Sequence, residues 1–129
     1  MQWYESARGR ERLNMEVELV RSAHPGFDLI DKPDGRLAWV GDIGPSPDLL
    51  YAYTVSLTYP SSYPVSGAPK VEVLEPTIRS GAPHRFTDGS LCIEHDDFDA
   101  AEHFITDLIG WTCQWLALYE RWANGGSSW

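Results

Sequence analysis

Leu50-Tyr51-Ala52-Tyr53-Thr54-Val55-Ser56-Leu57-Thr58-Tyr59-Pro60-Ser61-Ser62-Tyr63-Pro64 alternates for most of its length and then meets two prolines. Successive side chains of a strand point to opposite faces, so Tyr51, Tyr53, Val55 and Leu57 fall together on one side of an extended segment. Pro60 and Pro64 have no amide hydrogen to give a sheet interior, so the strand ends at Tyr59 and the chain turns. Upstream, Phe27–Ile30 and Leu37–Val40 flank the turn Lys32-Pro33-Asp34-Gly35, which reads as a hairpin, and Gly44-Pro45-Ser46-Pro47 is the next break. Downstream, Val71-Glu72-Val73-Leu74 is a fourth strand, stopped by Glu75-Pro76.

Helices flank this meander. From about Ser6 to Ala23, Leu13, Val17 and Val20 repeat at helical spacing, and His24-Pro25-Gly26 ends the run. From Ala100 to Ala123 the series Phe104, Leu108, Trp111, Trp115, Leu118, Trp122 steps by four and three, with Gly125-Gly126 as its stop. The expected order is helix, four-stranded antiparallel meander, long loop, helix: an α+β fold with helices packed on one sheet. Residues 1–129 are read as one domain, because a chain of this length supports a single core.

Composition narrows the function. A hydrophobic fraction of 43% with six Trp, six Tyr and four Phe supplies enough burial to offset chain entropy. A formal net charge of −9 repels phosphate backbones, which argues against a nucleic-acid partner. Met1-Gln2-Trp3-Tyr4-Glu5-Ser6 has no apolar run, and nothing later reaches the length of a membrane span, so a cytoplasmic protein without a membrane partner is expected. Cys92 and Cys113 are too few for a disulfide scaffold, which leaves catalysis, metal binding or burial as roles for a thiol.

The long loop contains Pro83-His84-Arg85-Phe86-Thr87-Asp88-Gly89-Ser90-Leu91-Cys92. Asp88-Gly89 is turn chemistry, since Gly accepts positive φ and Asp bonds the backbone two residues on. The turn belongs at the surface, and the thiol after it is expected to be reachable. Taken together, Tyr59-Pro60-x-x-Tyr63-Pro64, Ala68-Pro69-Lys70-Val71 and Asp88-Gly89-Ser90-Leu91-Cys92, in that order, resemble the ubiquitin-conjugating enzyme family over roughly residues 10–124. Counting back eight residues from Cys92, the family's His-Pro-Asn falls on Ala82-Pro83-His84, so His84 stands where the family has the asparagine that holds the active-site loop or stabilises the oxyanion. The chain is read as truncated after the second long helix. Its short, aromatic-ended form resembles the bacterial branch, including the stand-alone conjugating proteins of CBASS antiphage operons, encoded beside cGAS-like nucleotidyltransferases.

That resemblance implies a cysteine transferase. Cys92 would carry an acyl group as a thioester, a reaction suited to a thiolate that attacks and leaves well. His84 would polarise the carbonyl or, alternatively, staple the loop, and Pro83 would shape it. Of the acidic stretch Glu94, His95, Asp96, Asp97 and Asp99, His95 and Asp97 are the candidates for taking the proton of an attacking amine; helix-terminal charge is the plainer reading of the stretch. The implied partners are a ubiquitin-like C-terminus or similarly activated protein carboxylate, an activating enzyme, and a cGAS-like nucleotidyltransferase as acceptor. A zinc set of Cys92, His95, His103 and Cys113 is disfavoured, because residues ten apart on one helix lie about 15 Å apart. Nothing points to a metal or cofactor; the tryptophan stripe reads as core and Gly125-Gly126 as a helix stop. The rivals are a non-catalytic adaptor of the same fold and a Cys/His isopeptide hydrolase.

Overall fold

The computed structural model describes residues 1–93 and 98–126. After a 3-10 turn at Trp3–Glu5, the chain forms α1 (Ala7–Ala23), β1 (Asp28–Asp31), β2 (Leu37–Ile43), β3 (Tyr53–Thr58), β4 (Lys70–Glu75) and α2 (Ile105–Ala123). The strands pair in sequence order β1-β2-β3-β4, every neighbour antiparallel. The expected helix, meander, loop and helix are therefore present.

α1 starts where its chemistry says it should. Ser6 Oγ accepts the Gly9 N–H at 3.1 Å, and Leu13, Glu16 and Val20 form the buried stripe. The His24 N–H closes the last turn on the Val20 carbonyl at 2.7 Å, and Pro25-Gly26 follows. Within the β1–β2 turn Gly35 adopts φ +87, and the Tyr4 hydroxyl donates to its carbonyl at 2.8 Å, fixing the N-terminal segment to the hairpin.

Two boundaries differ from the periodicity. β3 begins at Tyr53, not Leu50, and Tyr51 is 59% exposed rather than sharing the buried face. The Leu50 and Tyr51 N–H groups donate instead to the Glu120 carboxylate, at 2.8 and 3.2 Å, so they are withdrawn from the ladder. Likewise α2 begins at Ile105, not Ala100. The Asp99 carboxylate takes the Ala101 N–H, the Asp99 carbonyl takes those of Glu102 and His103, and the Asp107 carboxylate reaches back to the Phe104 N–H. Those local bonds make a separate turn of residues 99–103 and put the helix start one residue after Phe104. The buried face of α2 is Ile105, Leu108, Ile109, Thr112, Trp115, Leu116, Tyr119 and Glu120, with Trp111 and Trp122 half-buried at its margins.

β3 is buried on both faces, and Tyr53, Tyr59 and Tyr63 are almost wholly enclosed. Trp3 packs on Tyr59 and Tyr63 with ring centroids 5.0 Å away in each case. Among these rings sits Glu16, with no exposed surface. Its carboxylate accepts from the Tyr59 hydroxyl (2.8 Å), the Tyr63 hydroxyl (2.9 Å) and the Ile105 N–H (2.5 Å), while Arg12 lies 3.5 Å away. Burial outweighs these partners and holds the Glu16 carboxyl above its ordinary range. No helix among the described residues is long and apolar enough to cross a membrane.

Candidate functional site

The segment after β4 folds back as a small closed turn. The Phe86 N–H donates to the Ser90 carbonyl (2.9 Å), the Gly89 N–H to the Phe86 carbonyl (2.9 Å) and the Cys92 N–H to the His84 carbonyl (2.8 Å), with Arg85 bridged to Leu91. Gly89 adopts φ +89, and the Asp88 carboxylate accepts from both the Ser90 N–H (2.9 Å) and its hydroxyl (2.6 Å).

Three ties fix this turn to the domain. The Leu91 N–H donates to the Val71 carbonyl of β4 at 2.9 Å. Lys70 Nζ reaches the other Asp88 oxygen at 2.6 Å, which, with the Ser90 bonds, holds the Asp88 carboxyl well below the usual carboxylate range. From α2, the Trp115 indole N–H donates to the His84 carbonyl at 3.2 Å. One carbonyl thus joins the cysteine backbone to the helix.

The position of the thiol follows from period-two alternation. Leu91 and Ile93 are buried, 3% and 5% exposed, so the intervening Cys92 faces the other way and is half-buried with its thiol unpaired. Among the described residues no hydrogen bond is made to that thiol, and the Cys92 N–H, spent on the His84 carbonyl, is not free to serve an oxyanion. His84 is exposed and left-handed, with φ +57. Asn, Asp and His are the non-glycine side chains best tolerated there, which gives a backbone reason for a histidine at this position.

The remaining candidates separate. His95 and Asp97 lie outside the described residues, as do Glu94 and Asp96. His103 is not on α2, as the zinc argument supposed; it precedes the helix and its Nδ1 accepts the Asp99 N–H at 3.1 Å. Cys113 sits half-buried on α2, its thiol pushed up by burial. No group of acidic, histidine or cysteine side chains able to hold a metal occurs among the described residues.

Sequence reasoning passed over two buried carboxylates that organise the site's supports. Arg12 donates to the carbonyls of Ala100 (2.7 Å) and His103 (2.6 Å), so the Arg12–Glu16 pair anchors the stretch leading into α2. Glu120 does the same for Leu50 and Tyr51 and takes the Tyr53 hydroxyl at 2.8 Å. A signal was present: Glu16 follows Leu13 by three residues and Glu120 follows Leu116 by four, so each carboxylate lies on an apolar stripe.

Residues 16–129 match the family model described as "Type II CBASS E2 protein". A comparison with curated proteins finds no match in sequence. Among solved structures, a ubiquitin conjugating enzyme E2 from Plasmodium falciparum superposes with TM-score 0.61 at 21% identity, covering 83% of this chain and 96% of that one. The yeast Vps23 UEV domain, solved in complex with a Vps27 PSDP peptide, gives 0.62 at 18% identity over 85% and 81%. The Saccharomyces cerevisiae protein Ubc12 gives 0.57 at 18% identity over 81% and 60%. These likenesses establish the ubiquitin-conjugating fold.

Proposed function

Because the chain belongs to the type II CBASS E2 protein family, we propose that Cys92 accepts an activated protein carboxylate as a thioester and passes it to a target amine. The observation that carries this reading is the half-buried thiol between two buried neighbours on a turn tied to both β4 and α2. In the first step the thiolate attacks the donor's activated carbonyl, the C–S bond forms and the activating group leaves. In the second, the amine attacks, the C–N bond forms, the thiolate departs and the amine proton passes to a base. His95 and Asp97 are our candidates for that base, and Pro83 and His84 shape the loop and support the carbonyl. The donor is a ubiquitin-like C-terminus or comparable protein carboxylate, loaded by an activating enzyme, and a cGAS-like nucleotidyltransferase is the proposed acceptor. An unpaired thiol at both cysteines suits the reducing cytoplasm.

Purified protein incubated with its activating system and donor should give an adduct on non-reducing gels that thiols and hydroxylamine remove. Cys92→Ser should abolish it or replace it with a hydroxylamine-resistant ester. An adduct unchanged in Cys92→Ser sinks the reading. The fold shared with the Vps23 UEV domain, solved with a bound peptide, keeps a second reading in play, a docking adaptor. A partner bound equally well by wild type and Cys92→Ser, with no thiol-sensitive adduct, selects it.

A further inference from the structure

At the far end of the sheet from Cys92, three large apolar side chains are exposed. Leu50 is 68% exposed, Tyr51 59% and Leu74 51%. Tyr51 and Leu74 line one hollow of about 550 Å³, and the adjoining Leu50 lines a larger groove of about 1030 Å³ between the β2–β3 loop and α2. Asp42 lines both, so the two form one continuous surface. Monomeric proteins seldom leave contiguous apolar area uncovered without a use for it.

The ridge is also held in place. The buried Glu120 carboxylate takes the N–H groups of both Leu50 and Tyr51, while its second oxygen also holds the Tyr53 hydroxyl. The backbone is thereby fixed with its two apolar side chains facing outward. Around them Asp42, Asp48 and Glu75 are exposed, and none has a described cation within ion-pair distance. Arg121 is the one arginine or lysine lining either hollow.

We infer that this surface docks a partner protein through a segment that presents an apolar side chain flanked by lysine or arginine. The apolar group covers Leu50, Tyr51 and Leu74, and the cations supply what the three carboxylates lack. β4 runs from Lys70, beside the Cys92 turn, to Glu75 at this surface, five steps of about 3.3 Å or roughly 16 Å. The surface is therefore separate from the Cys92 turn. The inference stands on this surface and not on the thioester chemistry.

The test uses a fluorescein-labelled dodecapeptide alternating Lys and Leu around one Trp, with Lys/Ser and Glu/Leu peptides as controls, titrated by anisotropy at two salt concentrations. The Lys/Leu peptide should bind, and Leu50→Ser/Tyr51→Ser/Leu74→Ser should weaken it about tenfold or more. Asp42→Asn/Asp48→Asn/Glu75→Gln should do likewise and flatten the salt dependence. Asp28→Asn/Asp31→Asn, removing two exposed carboxylates on the opposite sheet edge, should leave affinity within about twofold. Circular dichroism and melting of each variant report folding. The inference is overturned by no binding, by equal binding of the Lys/Ser or Glu/Leu peptide, or by an equal loss in the Asp28/Asp31 variant. Sedimentation showing self-association that Leu50→Ser removes would overturn it too, by assigning the surface to a second copy.

Discussion

Replacing Glu16 by leucine tests how the core is organised. The substitution leaves the Tyr59 hydroxyl, the Tyr63 hydroxyl and the Ile105 N–H without their acceptor in a site with no exposed surface, and removes the carboxylate 3.5 Å from Arg12. Each orphaned donor costs about 1–3 kcal/mol, and stripping one member from a buried pair costs about 3–5 kcal/mol. At their lower end these costs total about 6 kcal/mol; Tyr59 still accepts from the Trp39 indole and Tyr63 from Arg12, and leucine recovers about 1.5–3 kcal/mol of apolar burial, so a net loss of about 3–5 kcal/mol is expected. In urea, followed by tryptophan fluorescence, that loss moves the midpoint down by roughly 2 M at a typical slope for this size. Glu16→Gln keeps one acceptor oxygen and should fall between wild type and Glu16→Leu. A loss below about 1 kcal/mol in Glu16→Leu, or identical losses in both variants, would refute the reasoning. The pH dependence supplies a second reading of the same group. Since burial raises the folded carboxyl above its ordinary value of 4.5, its contribution is complete below that pH and is lost as pH rises through the folded value. Wild-type stability relative to Glu16→Gln should therefore decline with rising pH across that window, and a difference that grows with pH contradicts the assignment.

Three further outcomes separate backbone from side-chain roles. His84 is left-handed at φ +57, so His84→Gly should preserve the turn while His84→Val should cost about 1–2 kcal/mol; adduct formation retained in His84→Gly would assign the position to backbone geometry, and its loss with the fold intact would assign it to the imidazole. In Gly9→Ala the new Cβ would lie 1.7 Å from the Trp3 carbonyl oxygen, so displacement of the N-terminal turn outweighs the gain of roughly 1 kcal/mol in helix propensity; a melting temperature that rises would contradict this. Trp115→Phe removes the indole donor from the His84 carbonyl and should cost about 1–2 kcal/mol while speeding hydrogen exchange at the Cys92 amide, and an unchanged amide would mean that α2 does not hold the turn.

Much of this arrangement was legible before the structure, for definite reasons. Prolines 60 and 64 and the Lys32–Gly35 turn punctuate the strands by backbone chemistry, which local sequence carries outright. The alternation Leu91-Cys92-Ile93 likewise puts the thiol opposite two core residues, so its accessibility is a local property too. β3 starts later than its alternation because Glu120 withdraws two amides across 70 and 69 residues, information that no window of neighbouring residues holds. α2 starts later than its periodicity because Asp99 and Asp107 bond nearby amides, a local competition that apolar spacing does not register, and Glu16 then takes the Ile105 N–H across 89 residues.

The same long-range bonds bear on the site. α2 is gripped near its two ends by one buried carboxylate each, Glu16 at Ile105 and Glu120 against the β2–β3 loop, and between those grips Trp115 presents its indole to the His84 carbonyl. That carbonyl also receives the Cys92 amide, so the height of the helix over the sheet and the conformation of the thiol turn share one atom. A single surface ion pair such as Lys70–Asp88, about half exposed on both sides, is too weakly coupled to set the turn alone. The buried carboxylates are costly to desolvate and are nonetheless fully engaged, which makes α2 the rigid member against which the thiol turn is positioned.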